Sequence, residues 1–237
     1  MKTVDSIGTI VVRGGVTLRA SPARDSCFRV VTDQADMVKH PDGSLEARRE
    51  QLHSDVNNEL QSLEIAAQSI VDFPTAPWEL RLELARQCWD ETRHARLFLG
   101  RLLALKGHLG EFPIINQEWG VVCMFNSLPG RLAVQNRIFE GLSLDVFKES
   151  VEAWTGWGDP ETAEVMEGVM VDEIQHAAFA QEWLRRLGAG KPNVTLQAVA
   201  AMSQLKIMAT ALTPAGQKMD HQIPVNAEDR RHAGLPI

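Results

Sequence analysis

The sequence reads DETRH at residues 90–94 and DEIQH at residues 172–176. Each pentapeptide places a Glu and a His three residues apart, Glu91 with His94 and Glu173 with His176. Residues three apart share one face of a helix, so a single metal ion can contact both side chains. One such pair arises by chance in many helical proteins, but two copies are far rarer. The two motifs therefore predict metal ligands on two helices.

Two further glutamates precede the motifs at nearly equal distances. Glu59 precedes Glu91 by almost the same number of positions as Glu140 precedes Glu173, with a difference of one. The offset between the halves is also constant to within one position, which indicates an internal repeat. A two-metal carboxylate site in a helical bundle takes one Glu from each of two helices and a Glu-x-x-His pair from each of the other two. Glu64 is rotated away from the Glu59 face, so Glu59 is the predicted ligand.

Long helical stretches rich in Leu, Ala, Glu, Gln and Arg begin near residue 45. Helices are predicted over residues 45–72, 77–106, 128–154 and 161–187, with a weaker one over 195–212. The first four form two helical hairpins, and residues 108–127 between them are too many for a tight turn. One long crossover between two helical hairpins is typical of ferritin-like proteins. The predicted fold is therefore all-α, a ferritin-like four-helix bundle with an extra C-terminal helix.

Three regions follow from this pattern. Residues 1–44 form an irregular N-terminal arm, in which short β-favouring runs around an Arg13-Gly14-Gly15 turn suggest a hairpin. Residues 45–190 form the two-metal bundle. Residues 191–237 form the C-terminal helix and a polar tail, which we expect to pack on the outside of the bundle.

Four polar residues lie close to the predicted ligands. Asp90 and Asp172 directly precede the two motif glutamates, and metal-bound His usually donates its second N–H to an outer carboxylate. They are candidates for that role, with surface acids as the alternative. Gln87 and Asn136 each lie four residues before a ligand Glu, and so are candidates for lining a substrate pocket. The alternative for these two is hydrogen bonding within the bundle.

The donor set indicates the metal. Four carboxylates and two imidazoles suit iron or manganese better than zinc, calcium or copper. Four carboxylates also neutralise two divalent cations, which makes their burial tolerable when metal is bound. We therefore expect two iron ions, with manganese or a mixed manganese–iron pair as the alternative.

Composition narrows the function classes. The net charge of −7 disfavours nucleic acid as a partner, and no apolar run is long enough for a membrane helix. The N-terminus lacks the continuous apolar region of a secretory signal, so a cytoplasmic location is expected. Three widely spaced cysteines predict free thiols rather than disulfides or a zinc ribbon. The chain contains no Tyr, which excludes a stored tyrosyl radical.

Several stretches together resemble a known family: NNELQSLEIAAQSIVDFP, WDETRHARLFLGRL, GEFP, EGLSLD, VDEIQHAAFAQEWL and VNAEDRRHAGLP. It is a ferritin-like family catalogued as a domain of unknown function, distantly related to the MiaE-type tRNA hydroxylases. The resemblance covers about residues 50–237. It implies the same six ligands, which are Glu59, Glu91, His94, Glu140, Glu173 and His176. The chain departs from the family pattern at Asn57, where a His is usual, and at residues 141–143, where Ala-Arg-Gly is usual.

The expected activity is that of a non-haem di-iron oxidase or oxygenase. Such an enzyme uses O₂ to hydroxylate, N-oxygenate or desaturate a small organic substrate, and needs an electron donor. The alternatives are a peroxidase or catalase of the rubrerythrin or manganese-catalase type, and a non-catalytic iron-binding protein. A tRNA hydroxylase is disfavoured by the acidic charge. A homodimer is an open alternative to a monomer.

Overall fold

The computed structural model describes residues 10–13, 16–19, 24–31, 37–212 and 226–237. The chain divides into two compact units, Met1–Met124 and Phe125–Ile237. Most of the described residues are helical, and the predicted all-α class is confirmed. Each unit contains one pair of long helices that pack against each other. The assembly of the two pairs into a ferritin-like bundle, and the division at residues 45 and 190, stay predictions.

The first unit is built on helices α1 (Leu45–Asp72) and α2 (Trp78–Ala104). The Ser44 hydroxyl accepts a hydrogen bond from the Ala47 N–H and so caps the start of α1. Phe73 and Pro74 end α1, because the residue before a Pro is driven out of the helical conformation. The connection is short, so the helices run antiparallel. Glu59 lies as far before the end of α1 as Glu91 lies after the start of α2, which places both at one level.

The described part of the first unit also contains short strands. Strands β1 (Ile10–Arg13) and β2 (Val16–Arg19) pair antiparallel, on either side of the predicted turn. Strand β3 (Arg29–Val31) pairs in parallel with β4 (Pro113–Ile115), which lies in the predicted crossover together with helix α3 (Glu118–Cys123). The N–H of Gly110 donates to His53 Nε2 at 2.8 Å and ties the crossover to α1. Strands β3 and β4 and helix α3 were not predicted, because elements this short carry too little periodicity to detect.

The second unit contains an irregular helix where the sequence predicted one regular helix over residues 128–154. The structure has α4 (Leu128–Leu132), a π-helical segment (Ala133–Phe139) and α5 (Glu140–Gly156) without a break between them. In a π-helix the N–H of residue i+5 bonds to the carbonyl of residue i, and the Glu140 N–H accordingly bonds to the Gln135 carbonyl. Such segments are rare in α-helices and frequent at functional sites.

Three more helices complete the second unit. Helix α6 (Pro160–Gly188) begins at Asp159, whose carboxylate accepts a hydrogen bond from the Thr162 N–H, and it packs on α5. Helix α7 (Pro192–Leu212) starts slightly before the predicted position, and α8 (Ala227–His232) lies in the predicted polar tail. In the parts of the chain that the structure describes, no helix is both long and apolar enough to cross a membrane.

Candidate metal centre

The first unit brings three predicted ligands together. Glu59 on α1 and Glu91 and His94 on α2 are buried, and each offers a ligand atom within 4.8 Å of the other two. His94 Nδ1 lies 3.2 Å from Glu59 Oε2 and 3.2 Å from Glu91 Oε2. We call these three residues the Glu59 cluster. One imidazole nitrogen therefore faces two carboxylate oxygens from two helices.

The second unit repeats this arrangement. Glu140 on α5 and Glu173 and His176 on α6 are buried, and their ligand atoms also lie within 4.8 Å of one another. His176 Nδ1 lies 3.2 Å from Glu173 Oε2, the same separation as between His94 and Glu91. We call these three residues the Glu140 cluster. The internal repeat seen in the sequence is thus also a repeat in side-chain geometry.

The spacing of the donor atoms fits a metal ion. Two donors that lie about 2.2 Å from one ion and at right angles to each other are about 3.1 Å apart. The separations of 3.2 Å in both Glu-x-x-His pairs agree with that value, and they are also the length of a hydrogen bond between imidazole and carboxylate. Two buried carboxylates beside one imidazole also carry an excess of negative charge, which is costly to bury without a cation. Each cluster is therefore a buried Glu/His group that could hold a metal ion.

A glutamine amide orients one ligand carboxylate in each cluster. Gln87 Nε2 donates to Glu91 Oε1 at 3.0 Å, one helical turn away. Gln135 Nε2 donates to Glu140 Oε1 at 2.8 Å. In both cases Oε1 is held by the amide, which leaves Oε2 to face a metal ion. The hydrogen bond of Gln87 agrees with the alternative given for this residue, hydrogen bonding within the bundle, and its role as a pocket residue stays a prediction.

The π-helical segment explains why Gln135 was not among the predicted residues. Residues four apart share a face in an α-helix, and that spacing selected Asn136 as the neighbour of Glu140. In the π-helical segment the residue one turn before Glu140 is five positions back, which is Gln135. Asn136 is buried, and its amide lies 3.4 Å from the His176 carbonyl oxygen. The residue that holds the Glu140 side chain is thus Gln135, while the contact of Asn136 agrees with the alternative of hydrogen bonding within the bundle, and its role in lining a pocket stays a prediction.

The two candidate outer carboxylates lie in different surroundings. Asp90 is buried, and its oxygens lie 3.5 Å from the guanidinium groups of Arg86 and Arg93. Asp172 is half-buried on α6. The hydrogen bonds predicted from these acids to the ligand histidines stay predictions.

Glu64, which was rejected as a ligand from its position in the sequence, is bound by an arginine of the N-terminal region. The Arg24 guanidinium contacts both Glu64 oxygens, one of them at 2.8 Å. Arg24 also donates to the Asn57 and Asn116 side-chain oxygens at 3.1 and 3.0 Å, and Asn57 donates to the Ile115 carbonyl. Asn57, the first departure from the family pattern, is therefore engaged in holding the crossover and the N-terminal region against α1.

The second unit contains a matching arginine. Asp145 follows Glu140 at the same spacing as Glu64 follows Glu59. Arg230 Nη1 donates to Asp145 Oδ2 at 2.9 Å and to the Gly141 carbonyl at 2.6 Å. A Cβ on Gly141 would lie 2.9 Å from Leu235 Cδ1, so the second departure from the family pattern makes room for the C-terminal segment. Neither arginine was predicted, although the repeated acids marked the two positions that the arginines bind.

Two further side chains near the ligands have altered acidity. Asp55 lies one turn before Glu59 on α1, its Oδ2 is buried without a hydrogen-bond partner among the described residues, and burial raises the pKa of its carboxyl to about 7. Cys88 donates to the Leu63 carbonyl, and burial raises the pKa of its thiol to about 11. Cys88 is therefore a neutral thiol at physiological pH, in agreement with its omission from the predicted ligands.

Fold and site together define an all-α protein with two buried Glu/His groups that could each hold a metal ion. The chain belongs to the family described as "Protein of unknown function (DUF455)", whose model matches residues 5–237. No curated protein matches the chain, and no solved structure does. The predicted membership of a family of unknown function is thus confirmed, while its predicted distant relation to the tRNA hydroxylases stays a prediction.

The first testable prediction concerns metal content. The protein loaded with Fe(II) should contain about two ions per chain. Glu91→Gln and Glu173→Gln each remove one charged ligand, so each should lower the content to about one ion or less. Glu167→Gln, which alters an exposed acid on α6, is the control and should keep the full content. Elemental analysis after gel filtration measures the result, and full metal content in both ligand variants would refute the assignment.

The second prediction concerns Asp55 in the metal-free protein. Because the folded-state pKa is about 7 and the ordinary value is 3.8, the folded state keeps a proton that the unfolded chain releases. The associated stability is complete below the unfolded pKa and is lost as pH rises through about 7. Asp55→Asn cannot ionise and should be more stable than the parent by about 1–2 kcal/mol at pH 8. Urea denaturation should show this difference shrinking at pH 5, and a pH-independent difference would contradict the buried carboxyl.

The third prediction concerns Arg230. Arg230→Gln leaves the Asp145 carboxylate and the Gly141 carbonyl without a charged donor, which should cost about 1–3 kcal/mol of unfolding free energy. Arg231→Gln alters the adjacent, exposed arginine and should change the free energy by less than about 0.5 kcal/mol. Urea denaturation of both variants measures the contrast. Equal stabilities would mean that the Arg230 contacts contribute nothing.

Proposed function

We propose that the protein is a non-haem di-iron oxidase or oxygenase that uses O₂ to oxidise a small organic substrate. Each cluster binds one iron ion, the first through Glu59, Glu91 and His94 and the second through Glu140, Glu173 and His176. The observation that carries the proposal is the repeated Glu–His geometry, with both Nδ1–Oε2 separations at 3.2 Å in buried surroundings. Buried Glu/His groups repeated in this way have little purpose in a protein that binds no metal.

The donor set favours iron. Carboxylate oxygens are hard ligands and imidazole is intermediate, a mixture that suits Fe(II) and Mn(II) and leaves coordination positions open. A structural zinc site would instead use four N or S donors in a closed tetrahedron. Two carboxylates in each cluster also balance the charge of one divalent ion. Manganese is therefore the alternative metal.

The residues of the chain hold and orient the ligands. Gln87 and Gln135 each fix one carboxylate oxygen, so that the other oxygen keeps its direction toward the ion. The buried positions of the ligands keep bulk water away, which strengthens the electrostatic hold on the ion. Bound ferrous iron supplies the electrons and open coordination positions that O₂ reduction requires.

The proposed reduction of O₂ also needs a source of electrons. The chain contains no Tyr, so a tyrosyl radical cannot store an oxidising equivalent. Full reduction of O₂ to water takes four electrons, and a two-electron oxidation of the substrate supplies two of them, so a separate reductant must supply the other two. An electron-donor protein or a reduced small molecule is part of the proposal.

The fourth prediction tests the reaction class. The anaerobic Fe(II) protein is mixed with O₂, with and without a panel of small organic compounds, and O₂ consumption is followed in a stopped-flow instrument. An oxygenase should consume O₂ at least about tenfold faster when its substrate is present. Glu91→Gln and Glu173→Gln should abolish this gain, whereas Glu167→Gln should keep it.

Two results would contradict the proposal. Rapid disproportionation of hydrogen peroxide without organic substrate would indicate the catalase or peroxidase alternative. Slow iron oxidation at one rate under all conditions, with iron retained, would indicate a non-catalytic iron-binding protein. Both results would leave the ligand assignment intact, because metal content tests that separately.

A further inference from the structure

A cavity lies in the second unit, between the C-terminal turns of α6, the first half of α7 and the π-helical segment. Its volume is about 450 Å³, within the range of small-molecule sites. None of its lining residues belongs to the Glu140 cluster. The cavity therefore needs an explanation separate from the metal ligands.

Arg137 supplies an uncompensated positive charge to this cavity. It lies in the π-helical segment, is half-buried, and has neither an ion pair nor a hydrogen bond among the described residues. Half-buried cations usually have a partner, because partial loss of water is otherwise costly. Arg185 also lines the cavity, but its guanidinium donates twice to Glu182 at 2.7 Å, and 71% of its side chain is exposed. Within the described structure, the charge available in the cavity is therefore that of Arg137.

Gln181 provides a second unsatisfied polar group. Its side chain lines the same cavity, and its Oε1 is buried without a hydrogen-bond partner in the described part of the chain. Buried polar atoms are almost always hydrogen-bonded, and an exception often marks a missing ligand or water. Within the described residues, the guanidinium and the amide oxygen both lack a partner, and each points independently to a bound molecule.

The rest of the lining is mainly apolar. Helix α7 contributes Val194, Ala198, Val199 and Met202, and α6 contributes Leu184. A mostly apolar wall with a few polar groups is the usual composition of a small-molecule site. The occupant should accordingly combine an apolar body with one polar end.

We propose that this cavity binds a small amphipathic carboxylate, with the carboxylate on Arg137 and the apolar body against α7. A guanidinium binds a planar carboxylate through two parallel hydrogen bonds. One uncompensated charge matches a monoanion, whereas a phosphate monoester would bring close to two charges to a single available arginine. The Gln181 amide oxygen accepts a hydroxyl or N–H of the same molecule. The site stands apart from the proposed iron ligands and does not depend on the proposed function.

The fifth prediction tests this site by titration calorimetry on the full chain without metal. The probes are octanoate, its neutral analogue octanamide, and octyl phosphate. Octanoate should bind about tenfold more tightly than octanamide, because only the anion pairs with Arg137. Arg137→Gln should remove this preference, and Arg137→Lys should keep part of it. Arg185→Gln, which alters the ion-paired arginine of the same cavity, should leave the octanoate affinity within about twofold.

A fourth variant tests the location of the apolar body. Val199 is exposed to 48% and lines the cavity, so Val199→Trp should fill the space without disturbing the fold, and should weaken octanoate and octanamide alike. Equal binding of octanoate and octanamide to the parent protein would overturn the proposal. So would equal losses in Arg137→Gln and Arg185→Gln, unchanged octanoate binding in Val199→Trp, or a clear preference for octyl phosphate.

Discussion

Buried carboxylates that face an imidazole nitrogen at 3.2 Å impose the strongest constraint on this structure. Such a group is costly to bury unless a cation or bound protons balance its charge and neighbouring donors hold its oxygens in place. The helix lengths bring two of the carboxylates together, because Glu59 and Glu91 reach one level when the chain folds back after Asp72. Gln87 and Gln135 supply the neighbouring donors, since each holds the second oxygen of a ligand carboxylate.

The need to hold the carboxylates in place also explains the contacts made by the N-terminal and C-terminal segments. Each helix that carries a single ligand Glu has an acid shortly after it at the same spacing, Glu64 in the first unit and Asp145 in the second. Each acid is bound by an arginine from outside the long helices, Arg24 before α1 and Arg230 in α8. The repeat therefore includes an ion pair that links each of these helices to a distant part of the chain. These ion pairs resist rotation of each helix, which would otherwise turn Glu59 or Glu140 out of its cluster.

The long helices, and the grouping of the six predicted ligands into two buried clusters, could be predicted from the sequence because both rest on repeated patterns. Helical periodicity over such lengths is robust, and two Glu-x-x-His motifs at matched depth limit the choice to a few acids. Strands β3 and β4 could not be predicted, because each is very short and its partner lies far away along the chain. Arg24 and Arg230 were missed for a similar reason, since a long-range ion pair has no local spacing. The acids that they bind stood out as part of the repeat, but no pattern indicated their partners.

The π-helical segment is the departure with the widest consequences. Predictions from residue spacing assume the constant rotation per residue of a regular α-helix. A π-helical turn contains more residues, so different side chains share one face. The segment puts Gln135 rather than Asn136 on the Glu140 carboxylate, and the same segment carries Arg137. A regular helix would have to give up the Gln135–Glu140 contact or shift Glu140 relative to His176. Because π-helical turns cost hydrogen-bond geometry and are frequent at functional sites, the segment indicates a function for the side chains that it places. Those side chains are Gln135, which supports the predicted ligand Glu140, and Arg137, which is the charged group of the neighbouring cavity.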